Sequence, residues 1–293
     1  LIYNIGGVVY GAVGTVSGTS ISVGSSTGVS VGGSYGPYLC TTYDSDLGKV
    51  VVGIQGTSAY AYAVVGTVSG TSISFGTSVV VNSAGSYDQA IAYDQNTQKV
   101  GYFYRQASAS AFYGQVGTVS GASISFGAQS AGISGTPVYA DACYDSNAQK
   151  IVVVYSLNSQ TNRPYCVVAT ISGASLSFGT PAQINTVRSE YNAISYDSVT
   201  QKIVATNYLY EASPQTVIGT VSGTSITFGT VVTLVASTGI SREVTSVFDP
   251  DANKTVISTE ISSPAGLSSV VFSASSSNNT SFVGISDAAI SSA

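Results

Sequence analysis

Few residues in this chain could do chemistry: it holds 14 Asp and Glu, nine Lys and Arg, three Cys and no His. Without His, the Ser-His-Asp and Cys-His arrangements of nucleophilic catalysis and His-ligated metal sites are excluded. A glycosidase needs only two carboxyl groups about 5 to 9.5 Å apart, and Asp88, Asp141, Glu190 and Glu243 are candidates. A sialidase-like site would want clustered arginines beside a Tyr nucleophile, whereas Arg105, Arg163, Arg188 and Arg242 are scattered along the chain. Asp249-Pro-Asp251-Ala-Asn253, with Glu260 eleven residues beyond Asp249, imitates a calcium loop, but Lys254 stands where that loop needs Gly. Cys40, Cys143 and Cys166 are odd in number and unrelated in spacing, so free thiols are expected and neither a disulfide framework nor a zinc site. There is no phosphate-cradling G-x-x-x-x-G-K-[ST]. Catalytic residues, metals and cofactors are therefore expected to be absent. Sequons at Asn253, Asn278 and Asn279 are what chance gives in a chain this rich in Ser and Thr.

The elements that position these side chains follow from a repeat. The segment V-S-G-[TA]-S-[IL]-[ST]-[FV]-G begins at Val16, Val68, Val119, Ile171 (as I-S-G) and Val221, in steps of 52, 51, 52 and 50 residues. An aromatic-Asp pair recurs at Tyr43-Asp44, Tyr93-Asp94, Tyr144-Asp145, Tyr196-Asp197 and Phe248-Asp249. Five residues after each Asp stands a Lys (Lys49, Lys99, Lys150, Lys202, Lys254), and these are all the lysines. Each unit divides into four strand-like runs, shown by 89–93, 99–104, 112–119 and 123–128. The second run is nearly all apolar, as in Ile151-Val152-Val153-Val154-Tyr155, which suits a strand covered on both faces. The fourth alternates Ile124 and Phe126 with Ser123 and Ser125, as a half-exposed outer strand does. Asp in the first turn can bond neighbouring backbone N–H groups, and Gly in the Ser-Gly-Thr turn can supply positive φ.

Four antiparallel strands in each unit predict an all-β propeller, a single domain over 1–293. Its units are 1–34 (partial), 35–85, 86–136, 137–186, 187–238 and 239–293. Six third strands against five first strands give six blades, with five or seven left open. The first and third turns are nearly identical from unit to unit. The loops after the second run differ in length and chemistry (55–60, 105–110, 156–164, 207–214, 260–266), and so do the connections between units. All four arginines and all four glutamates fall in or beside these variable segments. Exposed loops drift without any selection for binding. The alternative is a recognition face on which tyrosines stack on apolar sugar faces while Arg and carboxylates bond hydroxyls. Its candidate residues are Tyr60, Asp88, Arg105, Asp141, Arg163, Tyr165, Arg188, Glu190, Tyr191, Tyr208, Tyr210, Glu211, Arg242 and Glu243.

A net charge of −5, with only 8% charged residues, offers no footprint for phosphate backbones or anionic membranes. Nucleic acid is not expected as a partner. No apolar run reaches the ~18 residues of a spanning helix, so membrane insertion is not expected, and the N-terminus lacks the basic start of a signal peptide. A start at Leu1 without Met is expected of a processed chain or a fragment.

The V-G-T-V-S-G-T-S-I-S-F-G unit, the Y-D-S-x-x-Q-K-[VI]-V-V-x-Y unit and the closing Ser281-Phe282-Val283-Gly284-Ile285-Ser286-Asp287-Ala288-Ala289 resemble repeats in tail and other virion proteins of marine bacteriophages. The resemblance covers nearly the whole chain and implies a tail-fibre or host-contact component on a virion surface, or another extracellular setting. It implies other virion or surface proteins as partners and carries no catalytic residues; with the variable face, a host-surface glycan is a further expected partner, and self-association is left open. Three functions follow as expectations: a non-enzymatic structural and adhesive propeller, a secreted lectin of the same fold, or a carbohydrate-active hydrolase using paired carboxylates.

Overall fold

Each Asp of the aromatic-Asp pair closes the hairpin that the sequence predicts. Asp94 Oδ1 accepts the backbone N–H groups of Asn96 and Thr97 at 2.9 and 3.1 Å, and Asp44, Asp145, Asp197 and Asp249 repeat the pattern. These bonds satisfy turn N–H groups that no strand partner reaches. The calcium-like segment at Asp249 is thus one more copy of the repeat's turn. At the third turn, Gly18, Gly70, Gly121, Gly173 and Gly223 all take φ between 58° and 61°, the left-handed conformation that glycine enters without a Cβ penalty.

The structure is a computed structural model, and it describes residues 1–31, 36–209, 214–234, 240–262, 265–274 and 281–286. Among the described residues it is all β apart from three short 3-10 turns. Sheet 3 shows the common plan, with strands Ser86–Asp94, Lys99–Gln106, Ala111–Ser120 and Ser123–Phe126 paired antiparallel in that order. Sheets 2, 4 and 5 follow the same order, starting at Leu39–Asp44, Pro137–Asp145 and Ser189–Asp197. Sheet 6 runs through Ile240–Asp249, Lys254–Ser262, Ala265–Ser273 and Ser281–Ser286. Sheet 1 holds Ile2–Ile5, Val8–Gly11 and Thr27–Gly28, beside the hairpin Gly14–Ser17 and Ser20–Val23. The fold is a β-propeller of four-stranded antiparallel blades, and among the described residues the sheets, with the hairpin 14–23 counted beside sheet 1, are consistent with six blades.

Two details differ from the sequence reading. The first strands begin earlier than expected, at Ser86 instead of Gln89 in sheet 3, because a β-bulge carries the pairing past the register break at Tyr87/Ala90. The connections between units are not wholly loop. Short strands such as Val79–Asn82, Ile133–Ser134, Ala182–Gln183 and Val232–Thr233 turn back and pair with the start of the third strand.

The described residues group into two compact units, 1–136 with 171–177, and 137–170 with 178–293. Within each, the core lies between successive sheets. In the first unit, Val51, Ala63 and Val65 of sheet 2 pack with Ile91, Tyr93, Val100 and Tyr102 of sheet 3. In the second, Val152, Val154, Cys166 and Val168 meet Ile194, Ile203, Ala205 and Val217. Second strands are covered on both faces, and Ile151 through Tyr155 are wholly buried, as their continuous apolar sequence requires. All three cysteines are free, and burial pushes the Cys143 and Cys166 thiols up, which keeps them protonated and unreactive. No helix among the described residues is long and apolar enough to cross a membrane.

Candidate functional site

The bulge in the first strand is the local device from which the site is built. Counting six residues back from the conserved turn Asp of the repeat template gives Tyr38, Asp88, Tyr139, Tyr191 and Glu243. At three of these positions the backbone is left-handed, with φ of 50° at Asp88, 56° at Tyr139 and 52° at Tyr191. The strand register breaks at each of these three bulges. A bulge re-aims the side chains beside it and increases local twist, and a positive φ on Tyr is costly enough to need support from its surroundings. The bulges lie at the strand ends next to the variable loops, away from the Asp turns.

In the first unit, Arg105 leaves the end of the second strand of sheet 3 and reaches back to the bulge. Its Nε donates to Asp88 Oδ2 at 2.8 Å, and its Cζ lies 4.8 Å from the centroid of the Tyr87 ring. Tyr38 meets Tyr87 edge to face at 6.0 Å between centroids. Asp88 is buried, while Tyr38, Tyr87 and Arg105 each keep part of their surface open. The result is an aromatic corner floored by a shielded ion pair, where a cation over a ring contributes on the order of 1 kcal/mol.

The second unit builds a different corner from the same positions. The rings of Tyr139 and Tyr191 stand 4.8 Å apart at 39°, both partly exposed. Beside them Arg188 Nη2 donates to Glu190 Oε1. A buried polar network holds the bulge from below. Asn192 Nδ2 donates to the Tyr139 carbonyl at 2.8 Å and to Ser156 Oγ at 3.0 Å, and Asn192 Oδ1 accepts from Asn207 Nδ2 at 2.7 Å and from Ser189 Oγ at 3.2 Å. Asp141 lies deeper in the same bulge. Its Oδ1 accepts the Ala142 N–H at 2.8 Å and its Oδ2 the Ile194 N–H at 3.0 Å. Removal from water pushes its carboxyl up to about 6, against the pull of those two donors.

The other expected residues are placed separately. Tyr60 closes the 3-10 turn Thr57–Ala59. Arg163 stands opposite Leu157, and Tyr165 stacks on Tyr155 at 6.0 Å while its hydroxyl donates to Gln160 Oε1 at 3.0 Å. Tyr208 is buried and Glu243 exposed. Tyr210, Glu211 and the side chain of Arg242 lie outside the described residues. Sequence reasoning missed Tyr38, Tyr87, Tyr139 and Asn192. Aligning the first strands backward from the turn Asp would have exposed the recurring Tyr, since three of the five aligned positions are Tyr. Among the described residues no cluster of His, Cys, Asp and Glu gathers as metal ligands do.

No protein-family model and no curated protein matches the chain. Solved structures do match in fold. The six-bladed β-propeller fucose lectin of Aleuria aurantia is 14% identical with a TM-score of 0.55, over 96% of this chain and 88% of the lectin. SapL1 lectin, solved with alpha methyl fucoside, is 13% identical with a TM-score of 0.56, over 89% of this chain and 92% of that one. A Lactobacillus plantarum protein gives 14% and 0.54, and this chain, matched over 85% of its length, spans 66% of it. At these identities the likeness is one of fold, and it agrees with the sheet plan described above.

Proposed function

We propose that the chain is a non-enzymatic glycan-binding propeller whose ligand sits at the bulge ends of the first strands, against Tyr139 and Tyr191 in one unit and Tyr38 and Tyr87 in the other. The observation that carries the reading is the Tyr139–Tyr191 pair, two partly open rings 4.8 Å apart beside the Arg188–Glu190 ion pair. A sugar offers an apolar face of C–H groups to a ring and hydroxyls to charged partners, and this corner presents both. That similar folds include lectins for fucose supports the class of ligand. Asp141 is held by two backbone N–H groups and Asp88 by Arg105, so each carboxylate already has a structural role. Adhesion from a virion or cell surface rests on the repeat resemblance alone.

Incubating the full chain with a glycan array tests the reading. Retention of a defined set of glycans, recovered intact after elution, is the expected result. Release of free sugar would favour the hydrolase reading, and binding to no glycan would remove the lectin reading.

A further inference from the structure

The two aromatic corners differ in how their arginines are used. In residues 1–136 the charged side chains are Asp44, Asp46, Lys49, Asp94 and Lys99, all at the Asp-turn end of the sheets, and the pair Asp88 and Arg105 at the variable end. Both members of that pair depart from the repeat. Six residues before the turn Asp stand Tyr38, Asp88, Tyr139, Tyr191 and Glu243, and eleven after it stand Gln55, Arg105, Ser156, Tyr208 and Glu260. One repeat alone sets a carboxylate against a guanidinium at these positions.

The pair fixes the guanidinium on two sides. Arg105 Nε donates to the buried Asp88 Oδ2 at 2.8 Å, and Tyr87, the cross-strand partner of Arg105, lies with its ring centroid 4.8 Å from Cζ. Among the described residues, the two terminal Nη groups donate no hydrogen bond, and the side chain keeps 17% of its surface open. In the second corner the terminal Nη2 is already spent on Glu190. A planar guanidinium held at Nε and on one face, with its outer edge unengaged, matches a planar carboxylate through two parallel N–H···O bonds. Holding it in place beforehand lowers the entropy lost on binding. Tyr38, partly open and edge to face with Tyr87, supplies an apolar wall beside it.

Building on the glycan-binding reading, we propose that the first corner takes an acidic sugar of the uronate class, its carboxylate seated on the Arg105 Nη groups and its C–H face against Tyr38. Asp88 then serves as a positioning residue that aims the arginine from below and leaves its fork to the ligand.

The test is calorimetric titration of the full chain with trisaccharides of glucuronate, galacturonate and mannuronate, with the methyl ester of each, and with a sulfated galactose. At least one uronate is expected to bind, its ester about tenfold more weakly or less, and its affinity is expected to fall as salt rises from about 50 to about 500 mM. Arg105→Lys keeps the charge and loses the fork, and is expected to weaken uronate binding about tenfold. Because a change there could strand the buried Asp88 charge and disturb the fold, Tyr38→Ala, which leaves the ion pair intact, is the second variant and is also expected to weaken binding. The assignment is overturned if no uronate binds, if ester or sulfated sugar binds as tightly as the acid, or if both folded variants bind unchanged. Neutral glycans retained on the array while every uronate fails would remove this assignment and leave the lectin reading standing; a chain that binds no glycan removes both.

Discussion

Asp141 shows how the bulge sets the behaviour of a single group. Its carboxyl is moved from 3.8 to about 6 because burial disfavours its charge. The folded chain therefore holds this proton more tightly than the unfolded chain does between about pH 4 and pH 6. Its contribution is most favourable below about pH 4, declines as pH rises through that window, and stays at its low value above it. Two pK units amount to up to about 3 kcal/mol. Asp141→Asn removes the titration, so the variant should gain stability relative to the unaltered chain as pH rises from about 4 to about 7. Urea midpoints at the two ends of that range measure the difference, and a constant gap between the two proteins would show that Asp141 does not titrate in this window. The sequence displayed Asp141 as a carboxylate beside a first strand but gave no sign of its two backbone partners, since the bond from Ala142 needs the bulged backbone and the bond from Ile194 arises from the packing of sheets 4 and 5.

At the scale of the element, the Gly that closes the outer-strand motif has a role the repeat did not explain. A Cβ on Gly179 would lie 1.9 Å from the Thr224 carbonyl oxygen, and one on Gly76 would lie 1.8 Å from that of Ala122. The outer strands that end at Gly24, Gly76, Gly127 and Gly179 thus lie against the backbone of the following repeat's third turn, a contact only glycine permits, whereas Gly229 meets no such turn. Gly121 is different: its φ is 61° and open space surrounds it. Gly179→Ala should therefore cost about 2–3 kcal/mol through overpacking, and Gly121→Ala about 1 kcal/mol through backbone strain alone. Equal losses in urea unfolding would refute the distinction. Both glycines were visible as fixed letters of one motif, and the hairpin turn followed from the sequence. The contact at Gly179 did not, because it joins residues one repeat apart. The same limit explains the bulges: Tyr191 was a candidate from the sequence, but its pairing with Tyr139 is evident only once the strands are aligned on the turn Asp and the backbone is seen to turn left-handed there.

For the molecule as a whole, the regular spacing of turn Asp, Lys and Gly specified a four-stranded sheet many times over, which is why the propeller class was legible from letters alone. Variation is concentrated at the opposite strand ends, where the first unit builds a corner from Tyr38, Tyr87, Arg105 and Asp88 and the second builds one from Tyr139, Tyr191, Arg188 and Glu190. Repetition supplies the scaffold and departures from it supply the chemistry. The most direct measurement is calorimetric titration of an array-selected glycan into the unaltered chain and into Tyr139→Ala and Tyr191→Ala, each checked for folding by circular dichroism. Loss of stacking should weaken binding at least about tenfold in either variant; undiminished affinity in both folded variants would contradict a ligand seated on this aromatic pair.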